Sequence, residues 1–219
     1  MEGKNYTNSL DKTRLIAAVF VLLFHAVGLY GFLNAEWHEK FISLVPFHLL
    51  LMFALMLISH RNFERDFLVF LTLVYVAGFG IEFLGVHTGL IFGNYNYGET
   101  LGLKLADIPL LIGLNWVILV YSVGVSMNQF GVKNDALRAG IGALILVILD
   151  VLIEPVAIRF DYWSWANGSI PTQNYIAWFV FSFACLLLFN RLKFAKANPV
   201  ALVLLLAQFV FFIALNITA

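Results

Sequence analysis

Apolar residues gather in long blocks, and polar residues fall between the blocks rather than alternating with them. Seven blocks stand out, at about 15–33, 41–59, 67–85, 108–127, 137–156, 175–190 and 199–217. Most approach the ~20 residues that carry a helix across about 30 Å of hydrocarbon. The pattern predicts an all-α polytopic membrane protein of seven transmembrane helices, forming a single domain over 1–219. The first block follows Lys4, Lys12 and Arg14 as a signal peptide would. It is too long for a signal core and lacks a small-x-small cleavage pattern, so it reads as a retained span.

The loops fix an orientation. Lys4, Lys12, Arg14, Arg61, Arg65, Lys133, Arg138, Arg191, Lys193 and Lys196 fall on one side of a seven-span scheme, and only Lys40, Lys104 and Arg159 on the other. The bias of basic residues toward the cytoplasm puts the N-terminus inside and the C-terminus outside, in a plasma (inner) membrane. Six or eight spans would scramble this alternation.

In that frame the polar residues converge on the outer leaflet. Glu82 lies near the outer end of the third span, Asn115 in the fourth, and Asp150 and Glu154 in the fifth, while the outer loops 86–107 and 157–174 carry His87, Thr88, Tyr95, Tyr97, Trp163 and Trp165. A carboxylate within a span is costly unless it faces a cavity or a partner, so Glu82, Asp150 and Glu154 are functional candidates. The inner halves are nearly free of ionisable groups, and Ala139 and Ala143 supply a small-x-x-x-small spacing for close helix packing. A closed inner half and a polar cavity opening outward are expected.

Composition narrows the class. The chain is 62% hydrophobic and 12% charged, with 13 basic residues against 13 acidic ones, so it has no electrostatic footprint for nucleic acid. Cys185, the single cysteine, rules out an internal disulfide and a cysteine-rich metal site and reads as a small buried hydrophobe.

Asp150 and Glu154 stand one helical turn apart, and two carboxylates so placed in a low dielectric share a proton. That arrangement suits a general acid with a base beside it; its structural alternative is a polar cluster pinning helices together. Glu82 opens a stretch with glycines at 85, 89, 93 and 98 that permit tight turns, though no phosphate-cradling spacing is present and a nucleotide cofactor is unsupported. Asp107 precedes Ile108 and Pro109, where it is either an N-cap of the fourth helix or part of the site. His25, His48, His87 and the carboxylates suggest imidazole–carboxylate metal ligation, yet no helix carries a ligand pair, and no metal is assigned. His38 and His60 fall in loops and read as solvated. Trp and Tyr collect at membrane interfaces in any multispan chain. The Tyr95-x-Tyr97 and Trp163-x-Trp165 pairs instead sit beside carboxylates, and Trp116 lies below interfacial depth, as an aromatic box for a developing carbocation requires.

The series Glu82-x-x-Gly85-x-x-Thr88-Gly89-x-x-Phe92-Gly93-x-Tyr95-x-Tyr97-Gly98, with Pro109, Trp116, Asp150-x-x-x-Glu154-Pro155, Trp163-x-Trp165 and Pro171-x-x-Asn174-x-x-x-Trp178, resembles the membrane-integral carotenoid 1,2-hydratase family. That family includes γ-carotene, lycopene and bisanhydrobacterioruberin hydratases. The resemblance covers about residues 75–180; the first two spans and the last share only hydropathy. It implies addition of water across the terminal C1=C2 bond of an acyclic carotenoid end group, without redox change and without a cofactor. Glu82, Asp150 and Glu154 would divide the acid and water-activating roles. The end group would be bound among His87, Thr88, Tyr95, Tyr97, Asp107, Asn115, Trp116, Trp163, Trp165, Asn174 and Trp178. The partners implied are an acyclic or monocyclic carotenoid, the lipid bilayer and other carotenoid-pathway enzymes. Three rivals are weighed beside it. A retinal protein fails for want of a lysine in the last span, and a transporter for want of internal repeats and broken helix pairs. A metal-dependent membrane hydrolase stays open.

Overall fold

In the computed structural model, which describes residues 2–218, the apolar blocks fold as helices. These are α1 (Glu2–Leu33), α2 (His38–Ser43), α3 (Val45–Ser59), α4 (Arg65–Thr88), α5 (Leu110–Gln129), α6 (Asp135–Arg159), α7 (Thr172–Arg191) and α8 (Pro199–Ile217). The connections at one end add short strands β1 (Tyr95–Tyr97), β2 (Lys104–Leu105), β3 (Ile108–Pro109) and β4 (Trp163–Trp165). Among the described residues, six helices are long and apolar enough to cross a membrane, as in a multi-pass membrane protein.

The second expected span is the exception. The 41–59 block breaks at Leu44, with Pro46 in the first turn of α3, so a six-residue α2 precedes a 15-residue helix. At 1.5 Å per residue α3 is only about 22 Å long, short of the hydrocarbon thickness.

Polar contacts at the helix ends fix the packing. Arg14 donates to the carbonyls of Ser59 (3.1 Å) and Ala197 (3.3 Å), Lys193 N donates to Asp66 (2.7 Å), and Arg138 Nε donates to Asn190 (3.0 Å). At the opposite end Arg159 donates to Leu215 O (2.9 Å), and Phe32 meets Phe160 edge to face with centroids 4.8 Å apart. Successive long segments therefore run in alternating directions. α5 is the axis: every residue from Trp116 to Met127 is buried, which is why this helix is apolar on all faces. The outer helices keep one apolar face exposed, as with Leu15, Val19 and Leu22 on α1.

The end away from the site is closed, as expected: Ala139 and Ala143 are fully packed, with Leu146 and Phe189 buried nearby. His60 departs from its solvated reading. It is buried, stacks on Phe67 at 3.6 Å and shares a 2.7 Å hydrogen bond with Tyr121, whose hydroxyl also accepts from Asn198 (3.2 Å).

Candidate active site

The site is built by a two-stranded sheet laid across the ends of α4 and α6. β1 pairs antiparallel with β4 in the register Tyr95–Trp165, Asn96–Ser164 and Tyr97–Trp163. Side chains alternate along a strand, so the four aromatics share one face. Their ring centroids lie 5.2 Å apart for Tyr95 and Trp165 and 6.1 Å for Tyr97 and Trp163. Two glycines allow this placement. Gly89 ends α4 in the left-handed conformation (φ 65°), and a Cβ at Gly98 would collide with the carbonyl oxygen of Asp161.

Each tyrosine and tryptophan of the sheet reaches a carboxylate. Glu82 Oε2 accepts from Tyr95 (2.6 Å) and Tyr97 (2.8 Å), and its Oε1 accepts from Trp116 Nε1 (3.0 Å). Glu154 Oε2 accepts from Trp163 Nε1 (3.0 Å) and Trp165 Nε1 (2.9 Å). Asn174, on the first turn of α7, bridges the carboxylate pair by donating to Asp150 Oδ2 (2.8 Å) and Glu154 Oε1 (3.3 Å). The remaining oxygen, Asp150 Oδ1, is buried without a partner. Burial first, and then the Glu82 carboxylate, push the Tyr95 and Tyr97 phenols well above their ordinary range, so both stay donors.

Glu82 and Glu154 both line a chamber of about 30 Å3, with Tyr95, Tyr97, Asn115, Trp116, Trp163, Trp165, Asn174 and Trp178 around it. That is room for one or two waters, each needing roughly 10–15 Å3 of such space. Asp150 stands behind this wall, reached through Asn174. Trp116 and Trp178 pack at 4.4 Å, and Phe92, Ile112 and Ile153 complete the apolar lining.

The chamber adjoins a larger cavity of about 340 Å3 between α1, α3, α5, α6 and α8. Ile112, Asn115, Ile153 and Trp163 line both and stand at the boundary between them. Phe24, Phe32, Phe41, Phe47, Met52 and Phe211 make the larger space predominantly apolar. Its walls come from chain segments distant in sequence, and no local motif announced it.

Three expected binding residues lie elsewhere. α4 continues to Thr88, so His87 and Thr88, five and six residues past Glu82, are rotated about 140° and 240° from it at 100° per residue. Both are exposed and bond their own helix, His87 Nδ1 to Phe83 O (2.8 Å) and Thr88 to Leu84 O (2.5 Å). Asp107 (φ 65°) and Ala106 (φ 49°) form the exposed two-residue turn between β2 and β3. Asp107 therefore caps nothing: the residue preceding α5 is Pro109. Among the described residues, no group of three or more His, Cys, Asp or Glu side chains is placed to hold a metal.

A family model described as "Carotenoid biosynthesis protein" matches residues 43–219, which include every chamber residue. A bisanhydrobacterioruberin hydratase of Haloarcula japonica is 29% identical over 121 residues, covering 51% of this chain and 41% of that protein. The match thus spans less than half the length of that relative. No solved structure matches.

Proposed function

The chain belongs to the carotenoid biosynthesis protein family, and from that premise we propose that it is a hydratase adding water to the terminal double bond of an acyclic carotenoid end group. The observation that carries this reading is the pairing of the two spaces. A water-sized chamber with two carboxylates and an aromatic wall shares Ile112, Asn115, Ile153 and Trp163 with an adjoining apolar cavity suited to a polyene.

The chemistry assigned to these residues balances without an external reagent. The Asp150/Glu154 pair holds one proton, and Glu154, which lines the chamber, delivers it to C2 of the alkene as the π bond breaks. The tertiary cation left at C1 faces the rings of Tyr95, Tyr97, Trp163 and Trp165, with Glu82 as a fixed counter-charge. Water in the chamber bonds to C1, and its surplus proton returns to the carboxylate pair. The product is a tertiary alcohol and the enzyme is restored.

The same reading gives seven passes through the plasma (inner) membrane, with α2 and α3 together as the second. The chamber then opens in the outer leaflet, where the product hydroxyl meets the interface. Reporter fusions in the 86–107 connection test this topology, and a cytoplasmic signal there overturns it. For activity, the chain is expressed in cells that accumulate lycopene and the pigments are resolved by chromatography and mass spectrometry. Products heavier by one or two waters, lost in a well-folded Glu154→Gln variant, are expected. A folded, membrane-inserted chain that leaves lycopene and γ-carotene unchanged removes the reading.

A further inference from the structure

The apolar cavity carries one polar group of side chains that the hydration chemistry leaves unused. His25 of α1 and His48 of α3 meet edge to face with ring centroids 4.9 Å apart, and Gln208 of α8 lines the same space. Arg14 ties α1 to Ala197 at the foot of α8, and the two helices run in the same direction. His25 and Gln208 are each eleven residues further on, so they lie at the same depth. Phe211, one turn beyond Gln208, packs edge-on against His25 at 6.1 Å.

The hydrogen-bonding state of this group is specific. Nδ1 of His25 donates to the Val21 carbonyl (2.8 Å), which leaves Nε2 as an acceptor. His25 is only 8% exposed, and the Nδ1 bond to Val21 is its one hydrogen bond among the described residues. Gln208 Oε1, a second acceptor, is buried and also unpartnered. His48 adds one donor and one acceptor. Leaving such atoms unpaired in an apolar wall is costly, and a ligand that supplies a hydrogen removes the cost.

We propose that His25, His48 and Gln208 form a recognition site for a hydroxyl group carried on the isoprenoid chain of the ligand. A hydroxyl donates to Nε2 of His25, or to Oε1 of Gln208 once that buried oxygen turns toward the cavity, and accepts from His48. A carbonyl or an ether oxygen, lacking a hydrogen, leaves both acceptors unsatisfied, so the site selects an alcohol over a ketone of the same length. The cavity's aromatic and aliphatic lining selects an isoprenoid alcohol over water. α1 lines the cavity from Phe24 to Phe32, about 12 Å of helix, with Phe32 against Phe160 at one end and His25 toward the other. This rests on the hydratase reading for the identity of the chain but not for the polarity of the site. His25 also precedes the part of the chain matched by the family model.

The test is equilibrium binding of three polyenes of equal length to the purified full chain in nanodiscs: a hydrocarbon, its alcohol and the methyl ether of that alcohol. Quenching of tryptophan fluorescence gives Kd, and pigment analysis gives turnover of the hydrocarbon separately. The alcohol is expected to bind about fivefold tighter than the ether, as one net hydrogen bond provides. In Gln208→Leu and His48→Phe the alcohol should fall to the affinity of the ether while hydrocarbon binding and turnover stay within twofold. Gln208→Leu removes an unpaired buried acceptor, so its fold is expected to survive even where a histidine variant is lost. Equal affinities in the wild-type chain, or a preference unchanged in Gln208→Leu, overturn the proposal. A retained alcohol preference without hydration of any polyene overturns the hydratase reading and leaves the hydroxyl site standing.

Discussion

Glu82 is the carboxylate whose removal separates a catalytic charge from a structural anchor. Three donors converge on it, two phenols on Oε2 and one indole on Oε1. In Glu82→Gln an amide turned with its oxygen toward the phenols keeps both tyrosine bonds at neutral strength and leaves only the Trp116 indole without an acceptor. The stability cost is then on the order of 1–2 kcal/mol. Glu82→Leu leaves three buried donors without an acceptor, at about 1–3 kcal/mol each, and serves as the structural control. The loss of charge acts differently. A carboxylate and a carbocation about 6 Å apart attract by about 3 kcal/mol at an effective dielectric of ~20, which is about a hundredfold in rate. Thermal unfolding in detergent and single-turnover conversion of a polyene in nanodiscs measure the two effects on one preparation. Glu82→Gln should melt within a few degrees of the wild type and turn over about a hundredfold more slowly. A folded Glu82→Gln chain working within threefold of the wild-type rate refutes the counter-charge and leaves Glu82 as an anchor for the sheet.

Gly98→Ala places a methyl group against the Asp161 carbonyl oxygen and should push β1 from β4, costing about 1–3 kcal/mol by thermal unfolding; an unchanged melting temperature removes the close approach as a constraint. Of the two indoles on Glu154, Trp163 lines both cavities while Trp165 lines only the chamber. Trp163→Phe should therefore raise KM for a polyene more than Trp165→Phe does, and steady-state kinetics showing the reverse order would contradict entry of the polyene from the larger space. Burial, the largest influence, holds His60 below its ordinary value of about 6.5. The unfolded chain takes up a proton there that the folded chain resists, so this contribution is intact above about 6.5 and declines as pH falls through that value toward the lower folded one. Melting temperatures at pH 7.5 and 5.0 should drop more in the wild type than in His60→Phe, and equal drops would show that His60 does not contribute.

The apolar spans and the carboxylates of the candidate site were legible in the sequence because both are written locally. Apolar blocks bounded by Arg14, Arg65 and Arg138 give the spans, and carboxylates inside such blocks mark the site. Facing was not legible. Gly85 looked like the end of the third span, yet the helix runs on to Gly89, and those extra residues turn His87 and Thr88 to the outside while Glu82 stays buried. Pro46 hid within an apolar run and divided the second span. The Tyr-x-Tyr and Trp-x-Trp pairs point to an aromatic box in the loops but not to strands, because their antiparallel pairing is a contact between distant segments that neither segment encodes alone. His60 was read as solvated because it follows a span, whereas Phe67, Tyr121 and Phe194 close over it from three other parts of the chain. The apolar cavity is the extreme case, since each of its helices looks like ordinary membrane-facing sequence. What separates it from lipid-facing surface is that His25, His48 and Gln208 turn inward together, and a polar atom retained within hydrocarbon needs a partner that the chain itself does not provide.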